Sequence, residues 1–318
     1  MPCPALSRAI ATIHLTIVAA SGVAAAEEAR TTSIRPEEVL VVGERPGPRL
    51  WRVSSGAHVL WILGTQTPLP RGFDWRSEEV EAVIARSNEV LGAYSVSLSA
   101  PRQRREARGA LSRSLPRRVA RRWLELKAEY VGSEVATDNL LPTEAALLLR
   151  TRALERHGLV NADEIWLTIY TTAQRRGVPI RALDFVVRPD DAQQRSSTEA
   201  EKAGVRYLVR TMDRLEKDLA EARARADAWV AGEMEAIRTL ARTDESYATL
   251  LAYSWPFVDD DETGKLLRDA ENRLATAVER ALSRNDLTFA AFPMHLLLKD
   301  GGLLARLRAS GYVVEQPH

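Results

Sequence analysis

The stretch Arg49–Tyr94, RLWRVSSGAHVLWILGTQTPLPRGFDWRSEEVEAVIARSNEVLGAY, decides the fold. Its runs Leu50–Ser54 and His58–Leu63 are rich in β-branched and aromatic residues and flank a turn-forming Ser-Ser-Gly, so they predict a β-hairpin. The second strand is followed by Gly64-Thr65-Gln66-Thr67 and two prolines, which cannot continue a central strand. A tight loop is therefore expected at the carboxyl end of this strand, where open α/β sheets usually bind ligands.

The residues after this loop predict a helix and a further strand. Ser77 is in the N-cap position of a helix whose Val80, Val83 and Ile84 share one face. Glu89–Val96 then predicts another short strand. We expect a functional site close to the loop.

The middle of the chain is predicted to be mainly helical. Asn161 and Glu164 resemble a capping box, and Gly158 and Gly177 are placed to end helices. Val178–Val187 predicts a buried strand between two of these helices. The predicted helices are Pro116–Tyr130, Pro142–His157, Asn161–Arg176, Ser197–Ala231 and Glu233–Arg242, with the buried stripe of the longest at Leu208, Met212, Leu215 and Leu219.

The C-terminal part predicts a return to mixed structure. An acidic run, Asp259–Glu262, precedes a helix at Thr263–Ser283, where it suits the helix dipole; a calcium site is the alternative. The aromatic residues within Tyr253–Phe257 are expected to serve packing. The predicted elements after that helix are a strand at Leu287–Phe292, a loop Pro293-Met294-His295, a helix at Gly301–Ser310 with Leu303, Leu304 and Leu307 inward, and a last strand at Tyr312–Val314.

Together these elements predict a mixed α+β domain over residues 49–318. Its central β-sheet would be formed by the N- and C-terminal segments, with a large helical insertion between them. The first and last strands would lie side by side, so that Thr67 and His295 face one cavity.

The N-terminal residues predict export. Residues 1–26 have a basic Arg8, an apolar stretch and an Ala-Ala-Ala end, which is the pattern of a cleaved secretory signal peptide. Residues 27–48 then predict a flexible arm. Cys3 is the only cysteine and lies in the segment expected to be removed, so no disulfide and no thiolate ligand is expected. We expect a periplasmic or secreted protein.

The charge balance argues against nucleic acid as a partner. Removal of residues 1–26 takes away one arginine and leaves 43 basic against 43 acidic residues. No later segment is apolar enough for a transmembrane helix. A dense basic cluster favours solvated helix surface over a functional patch; its members are Arg102, Arg104, Arg105, Arg108, Arg113, Arg117, Arg118, Arg121 and Arg122.

Several stretches together resemble the TraB/GumN family, which is related to the Tiki metalloproteases. The matching pieces run from about Leu50 to Glu315. They are LWRVSSGAHVLWILGTQTPLP, SEEVEAVIARSNEVL, VPIRALDF, DAWVAGEMEAI and ERALSRNDLTFAAFPMHLLLKDGGLLARLRASGYVVE. The resemblance implies a mixed α and β domain whose two ends build one site, associated in Tiki-like members with metal-dependent proteolysis.

The residues that this resemblance implies for the chemistry are only partly present. The family pattern has two Gly-x-x-His motifs, a glutamate after the first helix and strand, and Arg-Asn before a late strand. Here Thr67 stands at the first histidine position and Tyr94 near the glutamate position, whereas Arg284, Asn285 and His295 match. The implied pocket residues are Gly64, Thr65, Thr67, Tyr94 and Met294, and His295 would be a vestigial metal ligand.

These departures leave three hypotheses for function. The first is a degenerate metalloprotease-like member that binds an unknown protein or polysaccharide in the cell envelope and needs no cofactor. The second is an active hydrolase or peptidase that holds a divalent metal with Asp74, Glu89 or Asp184 around His295. The third is an accessory factor in polysaccharide production or export. Asp184 could be a buried acid or the partner of an arginine, and Arg284-Asn285 could bind substrate or cap a helix.

Overall fold

A six-stranded mixed β-sheet joins the two ends of the chain in a computed structural model that describes residues 50–99, 111, 115–189, 196–242 and 258–317. The strands of this sheet are β1 (Leu50–Ser55), β2 (His58–Thr65), β4 (Glu89–Leu98), β6 (Ile180–Val187), β7 (Leu287–Pro293) and β8 (Val313–Glu315). A separate two-stranded sheet consists of β3 (Leu69–Pro70) and β5 (Leu159–Val160).

Helices fill the sequence between these strands. Lys127–Val131 forms a π-helical turn that continues the second helix. The helices are α1 (Glu78–Arg86), α2 (Arg117–Leu126), α3 (Pro142–Arg156), α4 (Asp163–Arg176), α5 (Ser197–Ala231), α6 (Met234–Arg242), α7 (Asp260–Arg284), α8 (Met294–Leu298) and α9 (Leu303–Ala309).

The strand order β6-β4-β7-β2-β1-β8 brings early and late strands together. The late strand β7 lies between β2 and β4 and is parallel to both, with Thr65 of β2 opposite Pro293 of β7. The hairpin partner β1 and the last strand β8 complete one side in antiparallel pairing. The carboxyl ends of β2, β4 and β7 therefore meet at one edge of the sheet.

Two hydrophobic clusters are present. The first lies around the sheet, where α7 contacts β1, β2, β4, β6 and β7, and contains the fully buried Trp51, Trp229 and Phe289. The second lies among α2, α3 and α5 and contains Trp123 and Leu149. The stripe predicted for the long helix belongs to this second core, because Leu208, Met212, Leu215 and Leu219 are all buried there. The predicted α+β class, with helices inserted between the two halves of the sheet, is confirmed.

Ser77 is the N-cap residue of α1, as predicted, but its hydroxyl donates to the Glu81 carboxylate at 2.7 Å and does not cap a backbone N–H of α1. Helix α4 begins later than predicted, with Ala162 as its N-cap, so Asn161 and Glu164 form no capping box. The predicted ends hold: Gly158 follows α3, and Gly177 ends α4, each with a positive φ that glycine adopts without steric cost.

The strand predicted to be buried is instead the edge of the sheet. Only β4 pairs with β6 among the described strands, so Ile180 and Val186 stay 38% and 58% exposed. Its apolar composition resembles that of an inner strand, but an edge strand has a neighbour on one side only. The loop predicted at Pro293-Met294-His295 is also different, because Met294 and His295 begin the short helix α8.

Several predictions fall outside the described residues. They concern the signal peptide 1–26, the arm 27–48, the aromatic residues within Tyr253–Phe257, and the arginines Arg102, Arg104, Arg105, Arg108 and Arg113. The arginines of the same cluster that belong to α2, namely Arg117, Arg118, Arg121 and Arg122, are exposed. Among the described helices, none is both long and apolar enough to cross a membrane.

Candidate functional site

A cavity of about 640 Å³ opens where the parallel strands end. We call it the strand-end cavity. One wall comes from the sheet edge, with Thr65, Thr67 and Tyr94, and from the start of α8, with Met294 and His295. Its volume is in the range of small-molecule binding sites in proteins.

Gly64 lets this wall close against the core. A Cβ at Gly64 would lie 2.5 Å from both Sδ and Cε of Met294 and 2.7 Å from Cζ3 of Trp51, which leaves no room for a side chain. The Gly64 carbonyl accepts a hydrogen bond from the indole Nε1–H of Trp229 at 2.8 Å. The loop that follows is thereby tied to helix α5, and its Thr67–Pro68 peptide bond is cis.

Tyr94 reaches the cavity because strand β4 is irregular next to it. The pairing of β4 with β6 shifts register between Leu91 and Tyr94, and the backbone N–H of Ala93 donates to the hydroxyl of Tyr170 at 3.2 Å. Tyr94 is buried, and its ring contacts Phe185 with centroids 5.7 Å apart. Tyr94 therefore lies in the same cavity as Thr67 and His295.

The opposite wall consists of helical residues that the sequence analysis did not single out. Leu147, Arg150, Thr151 and Leu154 line the cavity from one face of α3, and Trp166 does so from α4. The spacing of the four α3 residues is that of a single helix face. This mixed polar and apolar face was visible in the sequence, but nothing in the pattern indicated which element it would face.

The charged side chains of this wall differ in their pairing. Arg152 donates to the carboxylate of Glu155 at 2.8 Å, so the negative charge of Glu155 is neutralised locally. Arg150 is partly buried, and within the described residues its guanidinium makes no hydrogen bond or ion pair. Asp163 lines the cavity too but is exposed in the first turn of α4.

Glu89, Arg284 and Asn285 lie far from this cavity. Glu89 pairs in register with Thr288 near the start of β7, and the rise of a strand puts about 16 Å between that point and Pro293. Arg284 donates to Glu89 at 2.7 Å and Asn285 does so at 3.2 Å. The predicted helix cap is confirmed, because Arg284 is in the last turn of α7 and Asn285 is its C-cap. In addition, the two side chains bind a buried carboxylate from another strand.

Asp184 and Asp74 are not among the residues that line the cavity either. Asp184 is exposed on β6 and accepts a hydrogen bond from the Ser95 hydroxyl at 2.5 Å. Tyr94 and Ser95 are consecutive in a strand, so their side chains point to opposite faces of the sheet, and Asp184 binds on the face away from Tyr94. Asp74 is exposed before α1. Neither alternative for Asp184 is found: the edge strand leaves it in solvent, and its partner within the described residues is Ser95 and not an arginine.

The residues of the strand-end cavity do not fit a catalytic metal. Such a site needs about three imidazole, carboxylate or thiolate ligands around one ion. In the described parts of the chain no three His, Cys, Asp or Glu side chains are grouped closely enough to supply them. The cavity lining combines His295 with Thr67 and Tyr94, and its two carboxylates, Glu155 and Asp163, do not form such a group with His295.

Comparison with known families decides the affiliation of the chain. The model of the TraB/PrgY/gumN family matches residues 49–316, which is nearly the whole described chain. The chain belongs to the TraB/PrgY/gumN family. The resemblance inferred from the sequence is therefore confirmed at the level of the family. Searches of curated proteins and of solved structures found no match.

The family match covers both walls of the cavity. It includes the loop after β2, the helical wall from α3 and α4, and His295 at the start of α8. The cavity therefore belongs to the TraB/PrgY/gumN domain and is not formed by an added segment.

Proposed function

We propose that this chain is an exported TraB/PrgY/gumN protein whose strand-end cavity binds a ligand or partner in the cell envelope and no longer carries out metal-dependent hydrolysis. The observation that carries the proposal is the composition of the cavity. His295 shares it with Thr67 and Tyr94, at the two positions where the family resemblance implies a histidine and a carboxylate. A threonine hydroxyl and a neutral phenol are weak ligands for a divalent ion.

The placement of the carboxylates supports the same proposal. A working hydrolase with a rebuilt site would need acidic residues around His295. Glu89 is held at the opposite end of the sheet by Arg284 and Asn285, and Asp184 is bound to Ser95 on the edge strand. Glu155 and Asp163 line the cavity, but among the described residues no three such ligands, His295 included, are grouped closely enough to hold an ion. A cavity of about 640 Å³ in which the described residues form no metal-ligand group is suited to binding, whether the partner is an envelope protein or a polysaccharide.

Elemental analysis and an activity assay test the loss of the metal centre. The full chain is purified without chelators, as wild type and as His295→Ala, and both are analysed for transition metals and for peptidase activity with added Zn²⁺, Mn²⁺ or Co²⁺. We expect less than stoichiometric metal in both and no metal-stimulated activity. A stoichiometric metal and a hydrolytic activity that both disappear in His295→Ala would overturn the proposal.

Cell fractionation tests the location. The proposal of export rests on the signal-like pattern in residues 1–26. The full chain should be recovered from the periplasm or medium in a shortened form, and a chain lacking residues 2–26 should remain in the cytoplasm. Recovery of the full-length chain in the cytoplasm, with no shortened form, would contradict export.

A further inference from the structure

The guanidinium of Arg150 is the least expected group in the strand-end cavity. Arg150 is partly buried and, within the described residues, has no carboxylate, carbonyl or hydroxyl partner. Partial burial of an unpaired charge costs free energy, because the lost hydration is not replaced. An anion bound in the cavity would supply the missing interaction.

The two carboxylates that line the cavity with Arg150 are either paired or exposed. The Glu155 carboxylate is already paired with Arg152 at 2.8 Å. Asp163 is more exposed than Arg150, so water and salt screen its charge more strongly. The less hydrated Arg150 should therefore dominate the interaction with a ligand.

Much of the remaining lining is apolar. Leu147 and Leu154 flank Arg150 on α3, while Ile165 and Trp166 of α4 and Met294 of α8 also border the cavity. Burial of apolar ligand surface against such side chains is favourable by about 25 cal/mol per Å². A fully polar ligand would leave this surface unused.

We propose that the strand-end cavity binds a monoanion with an apolar body, with the anionic group on Arg150 and the body against Leu147, Leu154 and Met294. The inference rests on the proposed binding function and names the chemical class of its ligand. A free peptide carboxyl terminus with an apolar last residue and a free carboxylic acid with a hydrocarbon chain share this chemistry. The planar guanidinium suits a carboxylate because it donates two parallel hydrogen bonds.

A pair of fluorescent probes tests the requirement for the charge. 1-Anilinonaphthalene-8-sulfonate and N-phenyl-1-naphthylamine have the same aromatic body, and only the first is an anion. Wild-type protein should bind the anion at least about tenfold more tightly, the effect of one charge-assisted hydrogen bond. Arg150→Gln should lower the affinity for the anionic probe by about 10- to 100-fold and change the affinity for the neutral probe by less than about twofold.

Three further variants locate the effect. Arg176→Gln removes an exposed arginine of α4 that does not line this cavity, so it should leave the affinity for both probes unchanged. Asp163→Asn removes a negative charge from the cavity wall, so it should raise the affinity for the anionic probe and leave that for the neutral probe unchanged. Thr151→Trp places a large side chain at an exposed position of the cavity wall, so it should lower the affinity for both probes.

Competition against the bound anionic probe distinguishes the two ligand sources. N-acetyl-Leu-Phe is compared with its C-terminal amide, and dodecanoate with dodecanol. At least one acid should displace the probe about tenfold better than its neutral counterpart. A stronger effect of the peptide acid indicates a protein terminus, and a stronger effect of dodecanoate indicates a free acid.

The outcomes separate this inference from the proposed function. The anion preference is overturned if both probes bind equally, Thr151→Trp weakens their binding and Arg150→Gln does not change it. The cavity would then still be a binding site. Binding of both probes that Thr151→Trp does not weaken overturns the assignment to this cavity. If neither probe binds while His295-dependent, metal-stimulated hydrolysis is found, the proposed function fails as well.

Discussion

The Nη2 atom of Arg284 lies 2.7 Å from Oε2 of Glu89, a carboxylate 195 residues earlier in the chain. Glu89 also accepts from Arg181 at 2.8 Å and from Asn285 at 3.2 Å. The Glu89 side chain is 9% exposed, whereas those of Arg284 and Arg181 are 50% and 46% exposed. One buried carboxylate thus connects the start of β4 with the end of α7 and with β6, at the end of the sheet opposite the cavity.

Replacement of Glu89 by alanine should destabilise the fold. The variant loses hydrogen bonds from charged and amide donors, but the two arginines are exposed enough to regain water, so we expect a loss of about 2 kcal/mol in the free energy of unfolding. Urea denaturation followed by circular dichroism measures it. Glu79→Ala, at an exposed position of α1, is the control and should change stability by less than about 0.5 kcal/mol. Equal effects of the two variants would show that the Glu89 cluster does not contribute.

Two glycine-to-alanine replacements should have opposite effects. Gly64→Ala places a methyl group 2.5 Å from Met294 and 2.7 Å from Trp51, and the resulting shift in a packed core should cost about 1–3 kcal/mol. Gly204→Ala, inside helix α5, meets Thr143 Cγ2 at 3.4 Å, and the helix propensity of alanine should stabilise the protein by up to about 1 kcal/mol. Thermal unfolding of both variants is the measurement. A neutral Gly64→Ala would contradict the close contact with Met294.

The acidic start of α7 should act as a helix cap and not as a calcium site. The Asp259 carboxylate accepts from the Glu262 backbone N–H at 2.7 Å, so Asp259→Ala should cost about 1 kcal/mol, and Asp259→Asn less, because an amide oxygen still caps. Calorimetry with and without millimolar Ca²⁺ is the direct test. A calcium-dependent rise in melting temperature that vanishes in Asp259→Ala would favour the cation site over the cap.

Stability should fall at alkaline pH partly through Tyr312. Burial raises the pKa of Tyr312 above its ordinary value of 10.0, and the nearby Glu279 carboxylate raises it further. The folded state therefore prefers the neutral phenol, so its stabilising effect is complete below pH 10.0 and is lost as pH rises through the folded pKa. Tyr312→Phe should lose less stability than wild type between about pH 9 and pH 12, measured by urea denaturation.

Tyr130 provides a second, independent check of this pH dependence. Burial raises its pKa from 10.0, and the Glu129 carboxylate adds to the shift. Combining Tyr130→Phe with Tyr312→Phe should flatten the alkaline loss further than either change alone. Identical alkaline slopes for wild type and the double variant would rule out both tyrosines as the cause.

Local patterns predicted most of the regular structure correctly. The hairpin, the long helix at Ser197–Ala231 and its buried leucine stripe follow from hydrophobic periodicity and from glycines at helix ends. Local patterns did not predict the side-chain partners. The Ser77 hydroxyl donates to the Glu81 carboxylate, and Arg284 and Asn285 both bind Glu89, a residue that no local pattern connects with them.

The candidate site was predictable on one side only. Thr65 ends β2, Thr67 follows it, Tyr94 lies within β4 and His295 follows β7. Their position in one cavity could be inferred from the order of the elements and the family resemblance. Arg150 is on a helix face that is not distinctive in sequence. Its importance comes from being partly buried and, within the described residues, unpaired in the cavity that His295 also lines, which depends on how α3 packs.

The amino-acid sequence by itself determined most of the elements and the family, because these follow from residue type and local spacing. Only the tertiary structure decided which charged groups are in contact: Glu89 forms an ion pair with Arg284, whereas Arg150 lines a cavity. The physical reason is that electrostatic partners are set by distance and burial, and a parallel sheet brings together residues that are far apart along the chain.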